Sequence, residues 1–313
     1  VAWLTNYLHR KAITINNGGA ALTDYPMRVD INSGSGADSS GSEHESVYLE
    51  SNAGNWPDDI RFTTSDGQTL LDFWREESDG TDGEWWVEFD SLATGNNTFY
   101  LYYGYASATD VSSGSGTFIA FDDFEWGNDG DPITDSGGGI TWLAIRSAVI
   151  STDQHFGGTR CLKLTEDGVG SCTAYFSQSA SASIAVRWRM RKPDGSIWFL
   201  WHGDGTTEVV LYVGAAEDIL YQDDVGWHDS GSNQAVATWE LFELKDFNYA
   251  GDTYDLDFND GEIIADGGLH TGAVASNLVM FTQNVGSDDI FIDDVIVRNY
   301  RESDQPTWSA WGN

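Results

Sequence analysis

Hydrophobic and polar residues alternate with a period of two along most of this 313-residue chain, which is the period of a β-strand whose successive side chains point to opposite faces. Lys11-Ala-Ile-Thr-Ile15, Met27-Arg-Val-Asp-Ile31, Trp86-Val-Glu-Phe-Asp90 and Phe99-Tyr-Leu-Tyr-Tyr103 show it cleanly. Each predicts an antiparallel strand with one face in a core and the other toward water. Turn residues such as Ser65-Asp-Gly67 and Thr94-Gly-Asn-Asn97 separate the runs. No stretch carries the 3.6-residue period of an amphipathic helix of any length, so the expected fold class is all-β. Between Asn32 and Ser46 only Ala37 is apolar, and this segment is expected to be a mobile surface loop.

The chain exceeds the usual domain size of about 100–150 residues, which predicts two domains. Ala106 to Gly116 is small and polar without hydrophobic periodicity, and the boundary is placed there, near residue 118. With 40% apolar residues, 13% aromatics and 14 Trp, both halves have the material for packed cores, and intrinsic disorder is excluded. No run approaches the roughly 18 apolar residues of a membrane span.

Five motifs follow one another in the first half: Asn6-Tyr-Leu-His-Arg-Lys-Ala-Ile-Thr-Ile-Asn-Asn17, Leu22-Thr-Asp-Tyr-Pro-Met-Arg-Val-Asp-Ile31, Asp59-Ile-Arg-Phe-Thr-Thr-Ser-Asp-Gly67, Phe99-Tyr-Leu-Tyr-Tyr-Gly104 and Phe121-Asp-Asp-Phe-Glu125. In this order and spacing they resemble the domain of unknown function 2341, a β-rich module of large extracellular proteins of archaea, bacteria and their viruses that usually precedes a concanavalin A-like domain. The resemblance covers roughly residues 1–120 and implies an extracellular workplace without transferring an activity. The remainder resembles the concanavalin A-like, laminin-G-type jelly roll. It does so through Phe121-Asp-Asp-Phe-Glu125, Ser183-Ile-Ala-Val-Arg-Trp-Arg-Met190, Trp239-Glu-Leu-Phe-Glu-Leu244, the hairpin from Tyr254 to Ala265 and Ile290-Phe-Ile-Asp-Asp-Val-Ile-Val-Arg298. The expected organisation is therefore two antiparallel β-sandwich (jelly-roll) domains in tandem, residues 1–118 and 119–300. A tail over 301–313 follows, whose Trp308 and Trp311 need a surface to dock on. The jelly-roll resemblance implies that the first and last strands of the second domain lie side by side.

Charge narrows the setting. Fifty acidic residues against 15 basic ones give −35, with Lys only at positions 11, 163, 192 and 245. Such a surface repels itself at low ionic strength and suits molar salt, which screens charges beyond about 3 Å. A halophilic source is expected, the alternative being an ordinary acidic extracellular protein with several calcium sites. Nucleic acid is excluded as a partner because no basic stripe exists to replace phosphate counterions. The chain opens Val1-Ala-Trp-Leu-Thr5 without a signal-peptide pattern. Taken as a translated start, that implies release by lysis, as for a virion component; taken as a cleavage product, it implies nothing.

For chemistry, the glucanases of this fold carry paired carboxylates as Glu-x-Asp-x-x-Glu. That string is absent, as is a nucleophile elbow, so no enzyme is expected. Asp255-Leu-Asp-Phe-Asn-Asp260 departs from a calcium loop, because an extra residue precedes Gly261 and Asp266 stands where Glu is required. Calcium is instead expected at Asp122, Asp123 and Glu125 with Asp293 and Asp294, if first and last strands are neighbours; the alternative is solvated acidic strand ends. Sugar binding needs aromatic faces beside carboxylates and amides. Trp198, Trp201, His202 and Asp204 in one turn-rich segment, and Trp227, His228 and Asp229 in another, are the candidates, against the commoner fate of Trp in a core. Cys161 and Cys172 flank a Glu-Asp-Gly turn, so a hairpin would oppose them as a disulfide or leave two inert thiols. The function expected is a non-enzymatic surface protein of a halophilic system. Its form is a virion turret, spike or tail fibre that binds a host surface glycan or glycoprotein and associates with itself and other virion proteins. A purely architectural capsid or sheath protein and a secreted adhesin or carbohydrate-binding accessory module are the alternatives.

Overall fold

The computed structural model describes the chain except residues 1, 136, 166–168, 193–197, 205, 215–216, 272–275, 284–288 and 313, and the side chains of 198–204, 276, 277 and 283. It is almost entirely β-structure and forms two compact units, Val1–Ile119 with Arg301–Asn313, and Ala120–Tyr300. No helix among the described residues is long and apolar enough to cross a membrane.

The first unit contains β1 (His9–Asn17), β2 (Tyr25–Asn32), β3 (Glu45–Tyr48), β4 (Arg61–Thr63), β5 (Phe73–Asp79), β6 (Asp82–Phe89), β7 (Gly95–Tyr103), the short helix α1 (Gly114–Thr117) and, from the far end of the chain, β24 (Thr307–Gly312). They make two four-stranded sheets, β24-β1-β7-β4 and β3-β2-β6-β5, antiparallel except for the β2–β3 pair. Alternation decides which side chains meet. Ile13, Ile15, Phe99 and Leu101 from one sheet pack with Val29, Ile31, Trp85 and Val87 from the other.

The segment expected to be a tail is a strand of this unit. Trp308 is fully buried opposite Ile15, stacks on Trp311 at 5.2 Å and meets Phe89 edge-on at 5.8 Å. Its indole N–H donates to the carbonyls of Arg28 and Glu43, each at 3.0 Å, and that of Trp311 donates to Ser39 O at 2.8 Å. Gly41 N donates to Trp308 O and Trp308 N to Ser42 O, while Lys11 pairs with Asp38 at 2.6 Å. The Asn32–Ser46 stretch is thus anchored rather than loose. Backbone groups lying over a buried surface need partners, and the C-terminal tryptophans supply them.

The second unit contains β8 (Ala120–Asp122), β9 (Leu143–Ile145), β10 (Ala148–Ser151), β11 (Cys161–Leu164), β12 (Cys172–Ser177), β13 (Ile184–Arg191), β14 (Trp198–Asp204), β15 (Thr207–Val213), β16 (Asp218–Gln222), β17 (Trp227–Asn233), β18 (Trp239–Asn248), β19 (Thr253–Phe258), β20 (Gly261–Gly268), β21 (His270–Thr271), β22 (Ser276–Gln283) and β23 (Ile290–Asn299). Among the described residues they form two antiparallel sheets of the sandwich. One runs β10-β11-β23-β13-β18-β19-β20 with β8 also on β23, the other β17-β16-β15-β14-β22-β12-β9 with β21 on β15. Trp188 of the first sheet meets Phe281 of the second at 5.8 Å and stacks on Phe242 at 5.3 Å. Trp142 adds contacts to Phe176 and Phe281. The first and last strands of this unit are neighbours, with Asp122 opposite Val295.

Cys161 and Cys172 are free and buried. Their strands belong to different sheets, so the hairpin that would have opposed them does not form. Burial, and then the Asp293 carboxylate, push the Cys161 thiol upward, away from reactivity.

Trp308→Ala is expected to destabilise the first unit by about 3–5 kcal/mol and to expose residues 39–43 to limited proteolysis. Thermal unfolding and mapping of the first cleavage check this, and unchanged resistance of that segment contradicts it.

Candidate functional site

The β17-to-β9 sheet of the second unit has one face in the core, through Val209, Leu211, Val213, Ile219, Val279 and Phe281. Because successive strand residues point to opposite sides, their neighbours point away from the core in two rows across the strands. One row runs Trp227, Gln222, Val210, then the backbone of Trp201, Met280, Tyr175 and Leu143. The other runs Asp229, Leu220, Tyr212, then the backbone of Phe199, Thr282, Thr173 and Ile145.

Trp227 is 47% exposed, and its ring lies 5.5 Å from that of Tyr212 at a tilt of 59°. Asp229 is exposed, and its Oδ1 accepts from Gly231 N at 2.8 Å. At the other end of the rows Leu143 and Ile145 are 47% and 54% exposed. Between these ends the rows are covered: Val210, Thr173 and Thr282 are buried, and the two threonine hydroxyls bond to each other at 3.0 Å.

His228 parts from its two neighbours in sequence. It points to the other side of β17, where it stacks on Tyr221 at 5.0 Å and places Nε2 2.8 Å from Asp223 Oδ1. Asp223 also accepts from the N–H groups of Val225 and Gly226, and the His228 contact with these bonds holds its carboxyl below the usual range. His228 therefore secures the turn before β17. The other predicted group, Trp198, Trp201, His202 and Asp204, lies in β14 rather than in a loop, and its side chains lie outside the described residues. The backbone register sets Trp201 opposite Val210 and Met280, three strands from Trp227, or about 14 Å at ordinary strand spacing.

The β8–β23 pairing sets the strands that carry the five carboxylates expected to hold calcium side by side, with Asp122 opposite Val295, but does not gather their side chains at one point. Asp122 accepts from Phe124 N at 2.8 Å and from the indoles of Trp126 and Trp142 at 3.0 and 2.8 Å; burial still raises its pKa to about 6. Asp123 accepts from Glu125 N at 3.3 Å. Glu125 accepts from the backbone of Thr159 and Arg160 at 2.6 and 2.7 Å and from the Thr159 hydroxyl at 2.9 Å. Gly158, at φ +55°, leaves that carboxylate room, since a Cβ there would collide with it. Asp293 accepts from Phe156 N and Asp294 N, and burial followed by Asp294 drives its pKa well up. Asp294 lies 3.6 Å from Arg189 Nε. These oxygens serve donors of the chain, and among the described residues no three His, Cys, Asp or Glu side chains are grouped to hold a metal ion.

The first unit has an acidic concavity that sequence reasoning missed. A cavity of about 450 Å³ is lined by Asp30, Asn32, Ser46, Tyr48, Glu77, Asp79, Asp82 and Glu84 among others. Glu77 stands directly opposite Glu84, and Asp79 opposite Asp82, an arrangement that destabilises a strand pair. The signal was present in Glu77-Ser-Asp79-Gly-Thr-Asp82-Gly-Glu84, because a two-residue Gly80-Thr81 turn forces those pairs to face each other. Nearby on β6, burial and the neighbouring Asp90 and Asp24 carboxylates raise Glu88 to about 8.

Compared with known proteins, residues 56–142 match the family model described as a domain of unknown function, DUF2341, which is less than half of the chain. No curated protein sequence matches. Among solved structures, a sialidase is similar over 66% of this chain and 20% of its own, at 10% identity and a TM-score of 0.40; the chain thus spans a fifth of that protein. A carbohydrate esterase from the Shiga toxin-encoding bacteriophage phi24B is similar over 59% of this chain and 99% of its own, at 14% identity and 0.44. An endo-β-1,4-glucuronan lyase from the fungus Trichoderma reesei is similar over 60% and 98%, at 9% and 0.38. At these scores the likenesses carry nothing about this chain's chemistry.

Two outcomes are expected. The folded chain holds the Glu88 proton up to about 8 against an ordinary 4.5. Its stabilising contribution is therefore complete below the ordinary value and is lost as pH climbs toward about 8. Melting temperature should fall over that window, and Glu88→Gln should remove part of the slope; identical slopes contradict the assignment. Replacing Glu77 and Asp79 with Gln and Asn should raise the melting temperature at low salt and have little effect in molar salt, where the repulsion is already screened.

Proposed function

We propose that this chain is a non-enzymatic glycan-binding surface protein, with the exposed Trp227 end of the β17-to-β9 sheet as its binding surface. The observation that carries the proposal is the half-exposed indole of Trp227 beside Tyr212, flanked by Gln222 and Asp229. A solvent-facing aromatic plane offers the C–H face of a pyranose a stacking partner, and a neighbouring amide and carboxylate suit its hydroxyls. An exposed apolar patch with a polar rim is how soluble proteins mark an interaction site, and Leu143 and Ile145 extend the apolar character to the far end of the rows. The absence of Glu-x-Asp-x-x-Glu from the sequence supports binding without cleavage.

The setting proposed is the exterior of a halophilic system, on the strength of the −35 charge. Molar salt removes long-range steering and leaves stacking and short hydrogen bonds to decide affinity. Such contacts are weak singly and gain from display in many copies, which favours a virion turret, spike or tail fibre. Trp227 lies on the other sheet from the Asp122, Asp293 and Asp294 carboxylates, so chelation is expected to leave binding unchanged.

The test is binding of the purified chain to host envelope glycans in molar salt. Trp227→Ala is expected to weaken binding at least about tenfold, as removal of an exposed Trp anchor does, whereas Trp3→Ala, 46% exposed in the first unit, should leave it unchanged. Equal binding by wild type and Trp227→Ala contradicts the proposal.

A further inference from the structure

The chain contains a single Asn-x-Ser/Thr sequence, Asn96-Asn97-Thr98, and it lies at the start of β7, just past Gly95. Alternation along a strand puts residues two apart on one side, so Asn96 and Thr98 share a face and Asn97 takes the other. Asn96 and Thr98 are exposed, whereas Asn97 is half-buried. Bonding separates them as well. Asn97 is taken up by its own turn: Oδ1 accepts from Ala93 N at 2.9 Å, and Nδ2 donates to Ala93 O at 2.8 Å and Gly95 O at 2.9 Å. Asn96 receives one bond on its oxygen, from Asn16 Nδ2 at 3.0 Å. Among the described residues its amide nitrogen has no partner, and neither does the Thr98 hydroxyl.

We infer that Asn96 is an N-glycosylation site, its side chain receiving an oligosaccharide from a phosphate-linked carrier through a transferase of the producing cell. In the transfer, Asn96 Nδ2 bonds to the anomeric carbon of the first sugar. The bond from that carbon to the carrier's phosphate oxygen breaks, the carrier phosphate leaves as an anion, and the displaced amide proton passes to solvent. Nothing is oxidised or reduced. An acceptor of this kind needs an accessible amide and a hydroxyl two residues on, and those are the two groups that this strand end leaves unbonded. The bond from Asn16 reaches the amide oxygen, so the reacting nitrogen stays open. The site is independent of the Trp227 surface and shares with it only the extracellular setting.

Room for the sugar follows from register. Across from Asn96 and Thr98 stand Asn16 and Thr14 on β1, and beyond these Thr307 and Ala310 on β24. None of the four is larger than Asn, so the surface beside Asn96 is low. A Cβ added at the adjacent Gly95 would meet nothing within 4 Å, which marks open space on the turn side as well. A bulky hydrophilic chain at this point aids solubility without a charged side chain. It also keeps the outward face of the β24-β1-β7 strands in solvent in any assembly of the protein.

The experiment secretes the whole chain from an N-glycosylating halophilic host and compares its intact mass with that of the same chain made in a host without the transferase. Mass spectrometry of the peptide spanning residue 96 then locates any addition. Wild type is expected to carry an oligosaccharide on Asn96 from the first host alone. Asn96→Gln and Thr98→Val should each abolish it, and Thr98→Ser should retain it, because either hydroxyl serves. Made without the transferase, Asn96→Gln and wild type should melt together, which separates loss of the sugar from loss of the fold. Wild type that leaves cells with Asn96 unmodified, while the surface glycoprotein of those cells carries its own N-glycans, overturns the inference. A glycan that survives Asn96→Gln or Thr98→Val overturns it too.

Discussion

The second unit depends on one contact, the meeting of Trp188 and Phe281 between its two sheets. Each ring is fixed on a strand whose alternate residues share its side, so the contact sets the facing of a whole sheet. Slipping β22 or β15 by one residue would exchange inside and outside everywhere. With Val209, Leu211 and Val213 committed to the core, Val210 and Tyr212 have no choice but to face outward, and the pairing of β15 with β16 and β17 carries that choice to Trp227. The outward placement of Tyr212 and Trp227 is thus a consequence of core packing.

The acidic composition is resolved in the same way, by segregation. Cations are few and are used where burial makes them count. Arg298 and Arg187 approach Glu243 at 2.7 and 3.9 Å and outweigh its burial, keeping that carboxyl below its usual range. Lys245 closes on Asp257 and Arg187 on Asp260. These pairs lie on one sheet, and the strands of the opposite sheet carry no Lys or Arg. Across β5 and β6, where like charges face one another, Arg28 lies 3.9 Å from Glu84.

Much of this was open to a reader of the sequence. Period-two alternation located β1, β2, β6 and β7, and the jelly-roll motifs located β8, β13, β18 and β23, because each of these strands buries one face and its pattern is written locally. That the first and last strands of the second unit are neighbours was expected from the sequence and is seen in the β8–β23 pairing. Errors came where partners are distant or where strands imitate turns. Trp308 finds Ile15 and the 39–43 carbonyls from the other end of the chain, a relation no local window contains. Gly226, at φ +146°, opens β17, and Gly231, at φ +76° within it, bonds back to Asp229, so Gly-Trp-His-Asp-Ser-Gly has the composition of a loop and the pairing of a strand. Treating it as a loop grouped Trp227, His228 and Asp229 on one surface; strand alternation separates His228 from the other two.

The most direct test of the account is residue-level mapping of the surface that a glycan touches, by amide and indole chemical shifts of the isotope-labelled chain during titration. The account requires the Trp227 indole to move together with the amides of Val210, Tyr212 and Gln222, while the β10-to-β20 sheet and the first unit stay still. Shifts confined to the acidic concavity of the first unit, or to the arginine-bearing sheet, would place the binding surface elsewhere and contradict it.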